Sequence, residues 1–233
     1  MIRLIIFDLD STLAPIGLGM GEEELKLFRK LEENNVRIAI CSGKTCDYLC
    51  GFMRQVGFKN PILIGENGAV IRFGIDLPPK QYYKIPFSEE AKESLKKMRN
   101  ILEEKFPHIW FQPNKIGVTP FPRSEKEFEE IAKVIEEQKE LKDIKVFRHV
   151  DSFDIVPEQV DKATGIKFLL NIMEIEQNEI IAVGDGVNDY PMFEIAGYAV
   201  GVNVKEAFRV NKNCKNTLEM LEFLSEYLKE QNK

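Results

Sequence analysis

The sequence has few of the residues that build zinc sites and disulfide frameworks. Among 233 residues there are four cysteines and two histidines. Cys41, Cys46 and Cys50 cluster, but no C-x-x-C pair occurs, and His108 and His149 are far away in the sequence. This spacing argues against a zinc site. In a chain of this length it predicts reduced thiols in a cytoplasmic protein, and it leaves the role of the cluster open.

Long apolar runs and an excess of positive charge are also missing. The apolar run nearest the start, Leu4–Phe7, is much shorter than a signal-peptide core, and nowhere do about 18 apolar residues run together as a membrane helix needs. Lys and Arg total 32 against 38 Asp and Glu, a net charge of −6. We therefore expect a cytoplasmic protein whose main partner is neither nucleic acid nor a membrane surface.

Several short apolar runs end abruptly in small or polar residues, as do parallel strands that are buried on both faces. Segments with apolar residues at helical spacing, Glu22–Glu33 and Lys44–Val56, separate the first three of these runs. The β-α-β-α-β order predicts an α/β fold with a doubly wound, Rossmann-like parallel sheet. The predicted strands are Ile2–Phe7, Val36–Ile40, Ile62–Ile64, Ile180–Val183 and Tyr198–Val202, and a further helix is predicted at Ala163–Met173.

The middle of the chain has a different pattern, in which each of two long amphipathic helices is followed by two strand-like segments. Such an α-β-β-α-β-β unit favours an antiparallel sheet with helices on one face. We interpret residues 84–156 as an α+β domain inserted into a core made of residues 1–83 and 157–233. The predicted helices are Ser88–Phe106 and Ser124–Glu140, and the predicted strands are Ile109–Gln112, Ile116–Pro120, Lys145–His149 and Phe153–Val156.

Candidate functional residues directly follow the predicted core strands. The carboxyl ends of parallel strands form the usual binding edge of an open α/β sheet. Two acids as close as Asp8 and Asp10 are costly to ionise together unless a cation compensates them. Mg²⁺ is bound by such oxygen ligands together with a substrate phosphate. The residues at this edge are Asp8, Asp10 and Thr12, then Ser42, Gly43 and Lys44, then Gly184, Asp185, Asn188 and Asp189.

This set of groups suits phosphoryl transfer. A carboxylate beside Mg²⁺ is a competent nucleophile toward phosphorus, and the second acid is then free to move protons. The groups at Thr12, Ser42 and Gly43 would bind the non-bridging oxygens, and the ammonium of Lys162 would neutralise their charge. A single acid after a strand is often only a helix cap or a turn former. All the groups together, in this order along one sheet edge, are hard to explain as caps.

These residues resemble the four motifs of the Mg²⁺-dependent phosphatases of the haloacid dehalogenase superfamily. The motifs correspond to Asp8-Leu9-Asp10-Ser11-Thr12-Leu13, then Ser42, then Lys162, then Gly184-Asp185-Gly186-Val187-Asn188-Asp189. The resemblance implies that Asp8 is the nucleophile and Asp10 the general acid and base. It implies further that Ser42 and Lys162 bind the phosphoryl group, that Asp185 completes the Mg²⁺ site around Asp8 and Asp10, and that Asp189 supports it; Asn188 joins the candidate phosphate-binding residues.

The insert follows Gly65-Glu66-Asn67-Gly68-Ala69, between the second and third motifs. This position resembles the subgroup of Cof-type sugar-phosphate phosphatases, sucrose-phosphate phosphatase, phosphomannomutase and archaeal phosphoglycolate phosphatases. It implies a hydrolase for a small phosphorylated metabolite, with the insert as a cap that sets specificity. Two departures are Ser11, where glycine is frequent, and Ser42-Gly43-Lys44 in place of Thr-Gly-Arg.

Other functions use similar residues. A phosphohexomutase would return the phosphoryl group to the sugar instead of passing it to water. A phospho-acceptor module without catalysis also places acids and a lysine at a sheet edge, although the insert and Asp10 argue against this alternative. The sequence leaves open the substrate and the oligomeric state.

Overall fold

The computed structural model describes residues 1–58, 60–205 and 209–231. The chain forms two compact units. The first consists of Met1–Tyr83 and Asp161–Lys233, and the second of Lys84–Val160. Among the described residues, no helix has the length and apolar character needed to cross a membrane.

In the part of the chain that the structure describes, the first unit is built on one eight-stranded sheet. The strands are β1 (Leu4–Phe7), β2 (Arg37–Cys41), β3 (Ile62–Gly65), β4 (Val70–Phe73), β5 (Gln81–Lys84), β10 (Ile180–Gly184), β11 (Tyr198–Val202) and β12 (Lys212–Cys214). Their order across the sheet is β12-β11-β10-β1-β2-β3-β4-β5. The strands from β12 to β3 run parallel, and β4 runs antiparallel to β3.

The central strand β1 lies between β10 and β2, so Leu4 pairs with Ile180 on one side and with Arg37 on the other. All four residues of β1 are buried. This agrees with the continuous apolar runs in the sequence and confirms the predicted α/β fold class. The strands β4, β5 and β12 were not predicted.

In the residues that the structure describes, five α-helices belong to the first unit. Each of two starts directly after a residue whose side chain caps it: Thr45 Oγ1 accepts the N–H of Tyr48, and Asp161 Oδ1 accepts the N–H of Thr164. The second predicted helix therefore begins at Cys46 and not at Lys44. The helices are α1 (Glu22–Lys30), α2 (Cys46–Val56), α5 (Lys162–Met173), α6 (Tyr190–Ile195) and α7 (Thr217–Gln231).

The second unit has its own apolar core. Its helices are α3 (Glu89–Lys105) and α4 (Glu125–Glu137), and its strands are β6 (Trp110–Phe111), β7 (Pro120–Phe121), β8 (Ile144–Arg148) and β9 (Phe153–Pro157). The strands form two antiparallel pairs, β6-β7 and β8-β9. Reciprocal backbone hydrogen bonds of 2.9 and 3.0 Å between Val118 and Ile155 link the pairs. Leu95, Met98 and Ile131 are buried in the same cluster as Ile155.

The chain leaves the second unit and re-enters the first a few residues after Pro157. This proline is the last residue of β9 and pairs with Ile144. The next residue still belongs to the same unit, because the N–H of Glu158 donates to the carbonyl of Asp143 over 2.8 Å. The second unit therefore extends to Val160.

Two glycines in helix interiors test the packing of the first unit. A Cβ at Gly165 in α5 would lie 2.6 Å from the Cα of Gly68, whereas a Cβ at Gly51 in α2 would meet no atom within 4 Å. We expect Gly165→Ala to lower the free energy of unfolding by about 1–3 kcal/mol through overpacking. The matched variant Gly51→Ala should raise it by up to about 1 kcal/mol through helix propensity.

Urea denaturation of both variants beside the parent protein measures this difference. Equal stabilisation by the two alanines would contradict the close backbone contact at Gly165.

Candidate active site

The site lies at the carboxyl edge of the sheet in the first unit, where three adjacent strands end. Asp8 follows β1, Ser42 follows β2, and Asp185 follows β10. These strands are neighbours, so their carboxyl ends bring together residues that are far apart in sequence. The apolar strands fix the backbone, and the first residues after them carry the polar groups.

Lys162 is the centre of the site. It is the first residue of α5 and is only 1% exposed. Its Nζ lies 2.5 Å from Asp8 Oδ1 and 2.5 Å from Asp189 Oδ1. Asp189 is fully buried and Asp8 almost so. The lysine therefore joins the end of β1 to the turn after β10.

Both oxygens of Asp189 have hydrogen-bond partners. Oδ1 accepts from Lys162, and Oδ2 accepts the N–H groups of Asp185 and Gly186 over 2.9 and 3.0 Å. A Cβ at Gly184 would lie 2.4 Å from Asp189 Oδ2, which explains the glycine that ends β10. The carboxylate of Asp189 thus holds the turn that presents Asp185.

Thr12 and Asp185 contact each other. The hydroxyl of Thr12 donates to Asp185 Oδ1 over 3.0 Å, so it orients this carboxylate. The carbonyl of Thr12 accepts the hydroxyl of Thr217, the first residue of α7, over 2.8 Å. Thr217 was not predicted as a contact of the site, although a threonine at the start of an apolar helical pattern is a typical helix-start signal.

Asp10 pairs with a different cation from Asp8 and Asp189. Its Oδ2 is 3.4 Å from Lys44 Nζ, and both side chains are partly exposed. Ser11 has a φ of 66°, a left-handed conformation that glycine adopts more readily than serine.

The loop after β2 is held by Glu66 and Asn67, which were not predicted as site residues. The carbonyl of Ser42 accepts the N–H of Asn67 over 3.0 Å, and the carbonyl of Lys44 accepts the N–H of Glu66 over 2.9 Å. The hydroxyl of Ser42 accepts the N–H of Lys44 over 3.3 Å. Gly43 lies in this loop, at the same sheet edge. Asn188 is half-buried on the short turn Val187–Asp189.

Two of the cysteines, Cys46 and Cys50 in α2, make hydrogen bonds to backbone carbonyls. All four cysteines are free. Cys46 Sγ donates to the carbonyls of Leu63 and Val70 over 3.5 and 3.4 Å, and burial raises the pKa of Cys46 to about 12. Cys50 Sγ donates to the carbonyl of Ile75 over 3.6 Å. The thiol of Cys46 therefore stays protonated.

Three carboxylates in the site could hold a metal ion. One oxygen each of Asp8, Asp185 and Asp189 lies within 4.8 Å of the others, and the part of the chain that the structure describes contains no second such group of His, Cys, Asp or Glu. Three acids share the single ammonium of Lys162, so the cluster carries an excess of negative charge. A hard divalent cation with oxygen ligands fits this donor set.

Burial and the neighbouring charges together shift the pKa values of the site. Burial, with the charges of Asp189 and Asp185, raises the pKa of Asp8 from 3.8 to about 7 despite Lys162. Burial and Asp189 raise the pKa of Asp185 to about 6. Burial alone would lower the pKa of Lys162, but Asp189 and Asp8 outweigh it, so the lysine stays charged.

Comparison with known proteins agrees with this fold. A sequence profile of the haloacid dehalogenase-like hydrolases matches residues 5–144 and 80–219. The chain belongs to this family, which confirms the resemblance drawn from the four motifs.

Relatives match along almost the full chain. A phosphoglycolate phosphatase of Methanopyrus kandleri is 24% identical over 99% of each chain, and one of Thermoplasma acidophilum is 24% identical over 97% of this chain and 93% of its own. The crystal structure of TM0651 from Thermotoga maritima superposes with a TM-score of 0.75 at 20% identity, over 96% of this chain and 97% of the other. A haloacid dehalogenase-like hydrolase from Bacteroides thetaiotaomicron gives 0.76 at 17% identity, over 97% and 100%.

The raised pKa values of Asp8 and Asp185 predict a pH dependence of stability without metal. Between 3.8 and about 7 the folded protein keeps protons that the unfolded chain releases. The contribution of these groups to the free energy of unfolding therefore falls as the pH rises through this window.

We expect the melting temperature in EDTA to fall from pH 5 to pH 8, and to fall less in Asp8→Asn and Asp185→Asn. The exposed Asp76, in a surface pair with Lys80, provides the control Asp76→Asn. A pH slope that is the same in all four proteins would refute the raised pKa values of Asp8 and Asp185.

Proposed function

We propose that this protein is a phosphatase that hydrolyses a small phosphorylated metabolite through an aspartyl-phosphate on Asp8. The observation that carries the proposal is the buried Lys162 between Asp8 and Asp189, with Asp185 beside them. An acid nucleophile next to fixed positive charge is the arrangement that phosphoryl transfer needs. The names of the relatives support the same reaction and make phosphoglycolate the first substrate to test.

Asp8 supplies the nucleophilic oxygen. Its Oδ1 is bound by Lys162, which orients the carboxylate. The other oxygen attacks phosphorus, the bond to the leaving-group oxygen breaks, and Asp10 gives that oxygen its proton. Asp10 then takes a proton from a water molecule, which attacks phosphorus and breaks the bond to Asp8. Phosphate leaves, and both acids return to their starting states.

The phosphoryl oxygens are bound by groups of the same sheet edge. The hydroxyl of Ser42, the N–H of Gly43 and the ammonium of Lys162 neutralise and orient them, and Asn188 adds a polar group from the turn after β10. Their charge grows toward the transition state, so fixed donors stabilise it more than the bound substrate. The hydroxyl of Thr12 contributes by holding Asp185.

The resident metal in this proposal is Mg²⁺. Asp8, Asp185 and a backbone carbonyl near Asp10 would hold it, and Asp189 would act by fixing the turn of Asp185. When bound, Mg²⁺ offsets the charge of the acids and of the phosphoryl oxygens. The half-exposed carboxylate of Asp10, paired with Lys44, is left for proton transfer.

The two units take different roles in this proposal. All the proposed catalytic residues belong to the first unit, which is the catalytic core. The second unit, Lys84–Val160, is the cap that selects the leaving group. Motif residues contact only the phosphoryl group, so the choice among metabolites depends on other residues.

Asp8→Asn should abolish Mg²⁺-dependent hydrolysis, because an amide keeps the shape of the side chain but is neither nucleophilic nor anionic. The measurement is phosphate release from phosphoglycolate, hexose phosphates and an aryl phosphate, with Asp76→Asn as the matched control of unchanged activity.

Asp185→Asn should raise the Mg²⁺ concentration required for half-maximal rate, because it removes one of the proposed Mg²⁺ ligands. A Mg²⁺ titration of the hydrolysis rate measures this concentration.

Turnover of the aryl phosphate by Asp8→Asn at the parent rate would exclude the proposed nucleophile. Isomerised hexose phosphate that forms faster than free phosphate would show a mutase instead of a hydrolase.

Asp10→Asn should lower kcat by about 10²–10⁴-fold, the usual contribution of general acid and base catalysis. With an activated aryl ester, whose leaving group needs no proton, the first step should survive and phosphorylated protein should accumulate. Mass spectrometry of the quenched reaction measures the amount of phosphorylated protein. Slow turnover without any phosphorylated Asp8 would argue against the acid and base role of Asp10.

A further inference from the structure

The turn Gly65–Gly68, which joins β3 to β4, lies between two segments that carry proposed phosphate-binding groups. One is the loop 42–45 before α2, and the other is the first turn of α5 with Lys162. No step of the proposed reaction uses this turn. Glu66 and Asn67 are nevertheless each only 2% exposed.

The backbone of the turn is unusual. Glu66 and Asn67 have φ values of 53° and 55°, and Gly68 follows with 103°. Left-handed residues other than glycine cost about 1–3 kcal/mol each and persist where their surroundings hold them. Two in succession require strong contacts on both sides of the turn.

The first contact is made with the loop after β2. The N–H of Asn67 donates to the carbonyl of Ser42, and the N–H of Glu66 donates to the carbonyl of Lys44. In a trans peptide the C=O and N–H groups point in opposite directions. The N–H of Gly43, which shares its peptide with the carbonyl of Ser42, therefore points away from the turn. The turn thus sets the direction of a proposed phosphate donor.

The second contact is made with α5. A Cβ at Gly68 would lie 2.1 Å from the carbonyl oxygen of Asp161, and a Cβ at Gly165 would lie 2.6 Å from the Cα of Gly68. The two backbones therefore touch without side chains between them. Lys162 directly follows Asp161, so this contact fixes the start of the helix that carries the ammonium group.

We propose that the Gly65–Gly68 turn is a positioning element that sets the distance between the N–H of Gly43 and the ammonium of Lys162. It contacts the backbones of both segments, so both groups reach one phosphoryl group without rearrangement. The proposal rests on the proposed phosphatase function. A displacement of about 1 Å at such groups can cost about 10²-fold in rate.

Gly165→Ala tests the proposal from the α5 side, and Gly197→Ala is its matched control. A Cβ at Gly197 would lie 2.5 Å from the Cα of Asn178, an equally close backbone contact. This contact lies where β10 and β11 begin, at the opposite edge of the sheet. Both variants should lose stability.

Only Gly165→Ala should lower kcat, by roughly 10–100-fold with a smaller change in KM, because the misplaced donors act most strongly in the transition state. It should also weaken the binding of inorganic phosphate, measured by calorimetry. Each protein is assayed below the onset of its thermal unfolding. An equal loss of kcat in folded Gly197→Ala would overturn the proposal.

If Gly165→Ala does not fold, a second pair of variants that perturbs the backbone less tests the same proposal. Asn67 and Asn35 are both left-handed, and Asn35 follows α1 at the other edge of the sheet. Asn67→Gly leaves its N–H in place but loosens the turn, so kcat should fall about three- to ten-fold. Asn35→Gly should retain the parent kcat.

Amide hydrogen exchange gives a readout that does not depend on activity. The N–H groups of Glu66 and Asn67 should exchange faster in Gly165→Ala and Asn67→Gly than in their controls. Faster exchange with unchanged kcat and phosphate affinity would overturn the positioning role. If the parent protein hydrolyses no phosphate ester, the proposed function fails, and phosphate binding in the same variants still decides the positioning proposal.

Discussion

The site depends on the buried ion pairs of Lys162 with Asp8 and Asp189. These three side chains come from the end of β1, the start of α5 and the turn after β10, and almost no water reaches them. Removing one member of a buried charge network typically costs about 3–5 kcal/mol, because the remaining charges are left without compensation. The same lysine therefore determines both the relative position of three segments and the charge that an anionic substrate meets.

Asp189 shows how the network avoids rearrangement during a reaction. Its two oxygens bind one ammonium and two backbone N–H groups, so the turn of Asp185 is held before any ligand arrives. Fixed dipoles and charges stabilise a developing charge without a reorganisation cost. The turn Gly65–Gly68 extends the same principle to the loop of Ser42.

The sequence predicted the parts of the structure that local patterns encode. The five apolar runs became strands, and the polar residues directly after β1, β2 and β10 converge at one edge, because parallel strands end together. The strand β4, which was not predicted, contains the buried Arg72, which pairs with Asp47. This charged residue interrupts the apolar pattern of the strand. The strand β5 is largely exposed and carries no apolar run.

The hydrogen-bond partners of the side chains in the site could not be predicted from the sequence. Asp189 binds Lys162 of α5 and two N–H groups of its own turn, Thr12 donates to Asp185, and Thr217 donates to the carbonyl of Thr12. These contacts join residues up to 205 positions apart. The left-handed Glu66 and Asn67 also escaped detection, because neither residue type demands that conformation.

The pairing of β1 has a consequence for how the chain folds. Leu4 pairs with Arg37 and with Ile180, so the central strand of the sheet acquires its second neighbour only from the last part of the chain. Pairings between such distant residues are slow to form, because the entropy of closing the loop is lost before the contact stabilises. During synthesis the edge of β1 that pairs with β10 therefore stays open until β10 leaves the ribosome. The second unit is continuous in sequence and can fold earlier. Asp185 and Asp189 follow β10 and reach Asp8 and Lys162 only when this strand joins the sheet, so the nascent chain has no complete site before that point.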